Sequence, residues 1–320
     1  MDIIATIGRI HVGNALDAQI EELLRQGINS LRFNLAKYDD LNELHERAIE
    51  IAKLKQKHSI RIMLDFPFPY KKPRLYLNNE AGVYTVKPED LFKISINSSN
   101  TIFVDDSRVL ELSIGETIYY SDGEGVWVVE EVHTDHIVVR AKNSCIIYTG
   151  KSISIGKLMK SQLLNTYREI TEVVNPDSIA LSFVMNSTDV LEFLGNKTPD
   201  FEIISKIETQ NSVLNIDDIA CHSNIMIGRG DLRLYADYNN LYQFQEQIAK
   251  STRNLNKKLY FATGILQSLA KNVIPNPAEI IDVTKMLEYN PDGIILNTEV
   301  VIGRVDIAVS IINKILAQKQ

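Results

Sequence analysis

FEIISKIETQNSVLNIDDIACHSNIMIGRGDL, residues 201–232, contains two apolar runs, 201–207 and 224–228, that each end in charge or glycine. The first closes on Lys206-Ile207-Glu208. In an extended strand, residues two apart share a face, so Lys206 and Glu208 project together while Ile207 turns away. The second closes on Gly228-Arg229-Gly230-Asp231, where glycine lets backbone N–H groups come close to an anion. A lysine, two carboxylates and open backbone at neighbouring strand ends suit a divalent cation holding an oxyanion. Such a hard cation takes one or two carboxylates and leaves the rest of its shell to substrate and water. The plainer readings are a strand-capping ion pair for Lys206 with Glu208 and a helix N-cap for Asp231. Finding both segments together favours the metal. Arg229 is expected either at the substrate or paired with a core carboxylate.

Outward from this stretch the chain alternates strand and helix. Ile3–Ile7, Asn29–Asn34 and Ile60–Asp65 read as strands, with helices over Asn14–Arg25 and Asp39–Lys57 between them. From about Pro67 to Gly150 the rhythm breaks into short β-like pieces: Val83–Val86, Thr101–Val104, Thr117–Tyr120, Val126–Val132 and His136–Ala141. Alternation then resumes. Helices are expected at 158–174, 187–194, 211–220, 240–256, 265–271, from 278, and at 303–318, around strands at 178–183, 201–207, 224–228, 259–262 and 293–296. Eight strands, each followed by helix, predict an α/β (β/α)₈ TIM barrel, residues 1–68 and 154–320, with a small β-barrel lid domain, 69–153, inserted after the third strand. An open doubly wound sheet would show a similar rhythm.

Composition narrows the function. The chain has 320 residues, 45% apolar and 23% charged, with net charge −7. An acidic balance argues against nucleic acid and anionic membrane as partners. Cys145 and Cys221 make neither a disulfide framework nor metal-ligand spacing, so a reducing, cytoplasmic setting is expected. The N-terminus shows no signal peptide and no run is long enough to span a bilayer. The six histidines share no ligand spacing.

In this order the motifs resemble the pyruvate kinase family. Ala5-Thr6-Ile7-Gly8 is similar to its C-T-I-G-P strand, with Arg9 for proline; Arg32-Phe33-Asn34 to the start of R-x-N-F-S-H; Ser121-Asp122-Gly123 to the lid's D-D-G. Ser182-Phe183-Val184 is similar to S-F-V-R, Lys206-Ile207-Glu208 to K-I-E, Arg229-Gly230-Asp231-Leu232 to R-G-D-L, and Ala262-Thr263 to the start of A-T-Q-M-L. Pro275–Glu279 is similar to P-T-R-A-E, and Glu299 to the glutamate of S-G-E.

The resemblance implies roles. Lys206 would stabilise the transferring phosphoryl group and the enolate. Glu208 and Asp231 would hold Mg²⁺ or Mn²⁺. The backbone of Gly230 and Asp231 would hold the substrate carboxylate, Thr263 would stand where the enolate is protonated, and Arg32 would face the phosphoryl group. Asn34, Arg74, Lys72 and Lys151 would line the nucleotide or phosphate side. The resemblance covers the barrel and its inserted lid, and the family's C-terminal domain is not expected within these 320 residues. A homodimer through the barrel, over 264–288, is implied.

The departures lie on one side. Ala36, Lys37 and Phe66 replace the family's serine, histidine and threonine, leaving Asn34 and Asp65 as a degraded monovalent-cation site. This argues against a usual potassium site, and Lys72 would supply the missing charge. DFPFPYKKPR, residues 65–74, sets prolines and aromatics near the expected nucleotide entrance. The expected activity is phosphoryl transfer in glycolysis between phosphoenolpyruvate and ADP, with pyruvate and ATP as products. The alternatives are metal-dependent enolpyruvate chemistry with another acceptor or a C–C bond, and a catalytically inactive homologue.

Overall fold

The computed structural model describes residues 1–8, 13–38, 40–195 and 198–318. Arg9, His11 and Asp39 lie outside these. The chain divides into two compact units, 1–69 with 161–320, and 70–160.

The first unit is a closed (β/α)₈ barrel. Its strands are β1 (Asp2–Ile7), β2 (Ser30–Asn34), β3 (Arg61–Lys71), β4 (Ser178–Ser182), β5 (Glu202–Ile207), β6 (Asn224–Gly228), β7 (Leu259–Ala262) and β8 (Gly293–Leu296). Each pairs in parallel with the next, and β8 pairs with β1. Closure excludes the open doubly wound sheet.

Alternation along each strand makes two layers. Ile4, Met63, Ala180, Ile204, Met226 and Ile295 pack with one another inside the barrel. Their neighbours Ala5, Leu64, Ile179, Ile203 and Ile225 face the helices in the larger core. Each large apolar side chain buried there contributes about 1.5–3 kcal/mol. Two residues further along, the inner face turns polar. Thr6, Asp65, Ser182 and Lys206 follow Ile4, Met63, Ala180 and Ile204, with Arg32 joining from β2, and all are buried.

Phe66 and Phe68 of DFPFPY face this outer core. Both are fully buried. Phe66 stacks on Tyr167 at 4.7 Å, and Phe68 packs on Phe193 at 5.6 Å. The register between β3 and β4 shifts across Pro67 and Phe68, so the strand continues to Lys71 through a bulge.

Four helices differ from expectation. The one expected at 158–174 begins at Leu164, because Met159–Lys160 pairs as a strand, and the one expected at 211–220 is two short helices, Gln210–Leu214 and Ile216–His222. In place of a helix at 265–271 there is one 3₁₀ turn, Gln267–Ala270. Thr263, Gly264 and Leu266 all have positive φ, which keeps this segment out of the α-helical basin. The last helix starts at Thr298, not 303, and kinks at Arg304. Gly303 permits close packing there, because a Cβ would lie 2.6 Å from the Leu269 carbonyl oxygen.

The second unit contains a closed barrel of seven short strands and a separate two-stranded sheet. It runs to Lys160, beyond 153, because Met159–Lys160 pairs antiparallel with Tyr70–Lys71. Strands at Arg74–Leu77, Leu91–Ser95, Cys145–Tyr148 and Lys151–Ser154 add to the expected pieces. Its core centres on Trp127, which is fully buried against Phe92 and Tyr120.

Candidate active site

The polar inner layer lies at the C-terminal strand ends, where barrel enzymes place their chemistry. Asp65 is its hub and is wholly buried. Its Oδ2 accepts from Arg32 Nε at 2.8 Å and Nη2 at 2.6 Å. Its Oδ1 accepts from Lys206 Nζ at 3.3 Å and Ser182 Oγ at 3.4 Å. Arg32 Nη1 also donates to Thr6 Oγ1 at 3.0 Å. Five side chains from five consecutive strands thus form one network. The sequence had assigned Asp65 only to a degraded cation site and gave Thr6 and Ser182 no role. Their shared inward parity is the signal that identifies them.

Lys206 Nζ lies 3.1 Å from Glu208 Oε1 and donates to Ser182 Oγ at 2.9 Å. Glu208 Oε2 accepts from the Phe183 N–H at 2.8 Å. Phe183 reaches that position with φ of +55°. Burial alone would lower the Lys206 ammonium, but Asp65 and Glu208 outweigh it and raise its pKa. Burial would likewise raise Asp65, yet Lys206 and Arg32 hold it below the usual carboxylate range. At Glu208 burial wins: against the pull of Lys206, and with Asp231 and Asp65 adding repulsion, it is pushed up to about 7.

The β6 end fits around this pair. A Cβ on Gly228 would lie 2.5 Å from Glu208 Cγ, and one on Gly230 would lie 2.6 Å from Thr263 Cγ2. Asp231 sits in the first turn of helix Arg229–Tyr235 and acts electrostatically on both Lys206 and Glu208. Gly228→Ala is expected to lower the free energy of unfolding by about 1–3 kcal/mol, the usual cost of overpacking. Urea denaturation measures it, and a neutral result would mean that Glu208 yields freely.

Most of the remaining expected residues have partners of their own. Arg229 directs its terminal nitrogens to Asp282 and to the Thr263 carbonyl. Asn34 lies beside Asp65 in register, and its Oδ1 accepts from the Ala36 N–H at 3.0 Å. Lys72, Arg74 and Lys151 belong to the second unit. There Lys72 pairs with Asp122 at 2.9 Å, and Arg74 Nη1 donates to the Gly150 carbonyl. Among the described residues, no three His, Cys, Asp or Glu side chains converge on a metal-sized point, and no helix is long and apolar enough to cross a membrane.

Comparison with known proteins bears on this site. The chain is 31% identical over 317 residues to a pyruvate kinase of Thermococcus litoralis, a match covering 94% of this chain and 66% of that protein. It is 26% identical over 322 residues to one of Thermotoga maritima, covering 94% and 67%. The chain therefore spans about two thirds of the length of these curated relatives. A crystal structure of a pyruvate kinase from Cryptosporidium parvum superposes with a TM-score of 0.75 at 26% identity, covering 99% of this chain and 68% of that one. The family model of the pyruvate kinase barrel domain matches residues 1–308. The chain belongs to the pyruvate kinase family.

Proposed function

We propose that this chain transfers a phosphoryl group between phosphoenolpyruvate and ADP, with pyruvate as the other product, in the cytoplasm. One observation carries the reading: buried Lys206 and Glu208 lie 3.1 Å apart at the end of β5, with Asp231 acting on both, in a chain of this family. A lactate-coupled assay with phosphoenolpyruvate, ADP and Mg²⁺ tests it. Turnover near roughly 1–100 s⁻¹ is expected, the usual range for kinases. No turnover, with metal-dependent exchange at the pyruvate methyl group retained, would replace ADP with another acceptor. Loss of both would make this an inactive homologue.

Glu208 and Asp231 would hold Mg²⁺ or Mn²⁺. A buried carboxylate pushed up to about 7 is under-compensated, and a divalent cation is the partner that would relieve it. With two carboxylates available, backbone, substrate and water would complete the shell. The bound ion would polarise the substrate oxygens and neutralise their charge. Lys206 would place a desolvated ammonium where negative charge develops on the phosphoryl and enolate oxygens. Arg32, fixed by Asp65 and Thr6, would add a second positive charge. The backbone N–H groups of Gly230 and Asp231 would hold the carboxylate, and Thr263 would orient the proton delivered to the enolate carbon.

The raised Glu208 predicts a pH signature. Between its ordinary value of 4.5 and about 7, the folded protein keeps a proton that the unfolded chain has released. Stability without metal therefore falls as pH rises through this window. Metal binds the ionised form, so its stabilising effect grows across the same window. The thermal shift given by Mn²⁺ is expected to be larger near about pH 8 than near about pH 5.5, and to vanish in Glu208→Gln. Equal shifts at both pH values would remove Glu208 from the metal shell.

Weak potassium dependence is part of the proposal. Both Asp65 oxygens are engaged by Arg32, Lys206 and Ser182, and Asn34 caps its own turn. A barrel-to-barrel homodimer is proposed as well. It is supported by Val273, Ile274 and Ile281, which are 57%, 80% and 70% exposed within or beside 264–288. Light scattering reads it.

A further inference from the structure

Arg229 leaves β6 beside the glycines and looks suited to bind an anionic substrate. Its two terminal nitrogens are committed elsewhere, while its buried Nε meets no hydrogen-bond partner among the described residues. Nη1 donates to both Asp282 oxygens, at 2.7 and 2.8 Å, and Nη2 donates to the Thr263 carbonyl at 2.9 Å. Asp282 belongs to helix Pro277–Glu288, whose first turn is closed by a reciprocal capping box between Asn276 and Glu279. Glu279 also accepts from the Ser268 N–H at 2.9 Å and from its hydroxyl. The carboxylate that receives Arg229 therefore rests on an anchored helix.

Thr263 is the residue under constraint. Its φ is +71°, which a β-branched side chain adopts only where its surroundings impose it, at a cost of about 1–3 kcal/mol. Its methyl group occupies the space that a side chain at Gly230 would take. Its carbonyl is held by Arg229. Contacts on both sides thus fix where the Thr263 hydroxyl stands relative to Gly230 and Asp231. A planar fork meets the carboxylate with one nitrogen and the carbonyl with another in fixed geometry, which the single-point ammonium of lysine does not reproduce.

We infer that Arg229 and Asp282 are positioning residues that hold Thr263 in its strained conformation and do not themselves bind substrate. The catalytic consequence rests on the proposed phosphoryl transfer, whereas the positioning does not. In the full chain, Asp282→Asn and Arg229→Lys are compared with Thr263→Val by two readouts. The first needs no activity: the methyl resonance of ¹³C-labelled Thr263, assigned from its loss in Thr263→Val, moves in both variants, while the signals of threonines remote from β7 stay in place. The second is kinetic. With phosphoenolpyruvate, ADP and Mn²⁺, kcat falls about 10- to 100-fold in Asp282→Asn, as expected when a reacting group is misplaced, and KM for phosphoenolpyruvate stays within about threefold. Exchange at the pyruvate methyl group falls in parallel. Asp282→Glu, which keeps the carboxylate, recovers most of the loss. The 37% exposure of the Asp282 side chain makes it the safer site for folding.

A Thr263 methyl that stays in place in both variants overturns the inference. So does an unchanged kcat with KM raised about tenfold or more in Arg229→Lys, which would make Arg229 a substrate ligand. A wild-type protein with neither turnover nor exchange overturns the proposed reaction instead, and the methyl resonance then decides the positioning alone.

Discussion

Lys206→Met is expected to lower kcat for phosphoryl transfer from phosphoenolpyruvate by at least about 10³-fold, the scale seen when a preorganised donor to a developing oxyanion is removed. Methionine keeps most of the length and loses the charge. In the wild type that charge is secure. Burial opposes it, but Asp65 and Glu208 raise the ammonium's pKa, so Lys206 is a cation across any assay pH. Phosphoryl transfer and enolate formation both gather negative charge on oxygen, and a desolvated ammonium already in place needs no reorganisation to meet it. The fold should survive the change. Asp65 keeps both hydrogen bonds from Arg32. Glu208, already pushed up to about 7, takes a proton when its cation is lost. The variant should therefore show an unchanged circular dichroism spectrum. Retention of more than about a tenth of kcat would remove Lys206 from the chemistry.

The site is legible in the sequence wherever parity along one strand carries the information. Lys206 and Glu208 share a face because they are two apart, and the apolar run before them marks the strand. The same rule applies to Ser182 and Thr6. Ser182 follows Ala180 inward, and Thr6 follows Ile4. Phe66 and Phe68 alternate outward from Asp65, with Pro67 between them. What one strand cannot show is the partner across the barrel. Asp65 is charge-balanced by Arg32, 33 residues before it, and by Lys206, 141 residues after it. That pairing exists only once the barrel closes. The positive φ of Thr263 and Phe183 is hidden for a similar reason, since neither residue type favours it and the surrounding structure imposes it. In the second unit, strands such as Leu91–Ser95 gain their register from antiparallel neighbours remote in sequence, so local propensity underdetermines them.

Asp65→Ala is expected to destabilise the first unit by about 3–5 kcal/mol, the cost of leaving buried charge without its partner. Arg32 and Lys206 would then face each other across the barrel interior with no carboxylate between them, and Glu208 already carries its own burden of burial. Asp65→Asn preserves volume and some hydrogen bonding, so it should show nearly the same loss if charge is what matters. Glu208, 3.1 Å from Lys206, would still pair it. The double variant Asp65→Ala with Lys206→Met removes the repulsion between Arg32 and Lys206 and should recover part of the stability, a non-additivity that identifies the pair. The pH dependence follows from the depressed Asp65. Its contribution is complete above the carboxylate's unfolded value and is lost as pH falls through the lower folded one. The stability gap between wild type and Asp65→Ala should therefore be full at neutral pH and close in acid below about pH 4. Urea denaturation at both pH values measures the gap. A loss under about 1 kcal/mol at neutral pH would mean that water or rearranged side chains replace Asp65, and the network would then owe its charge balance to Glu208 instead.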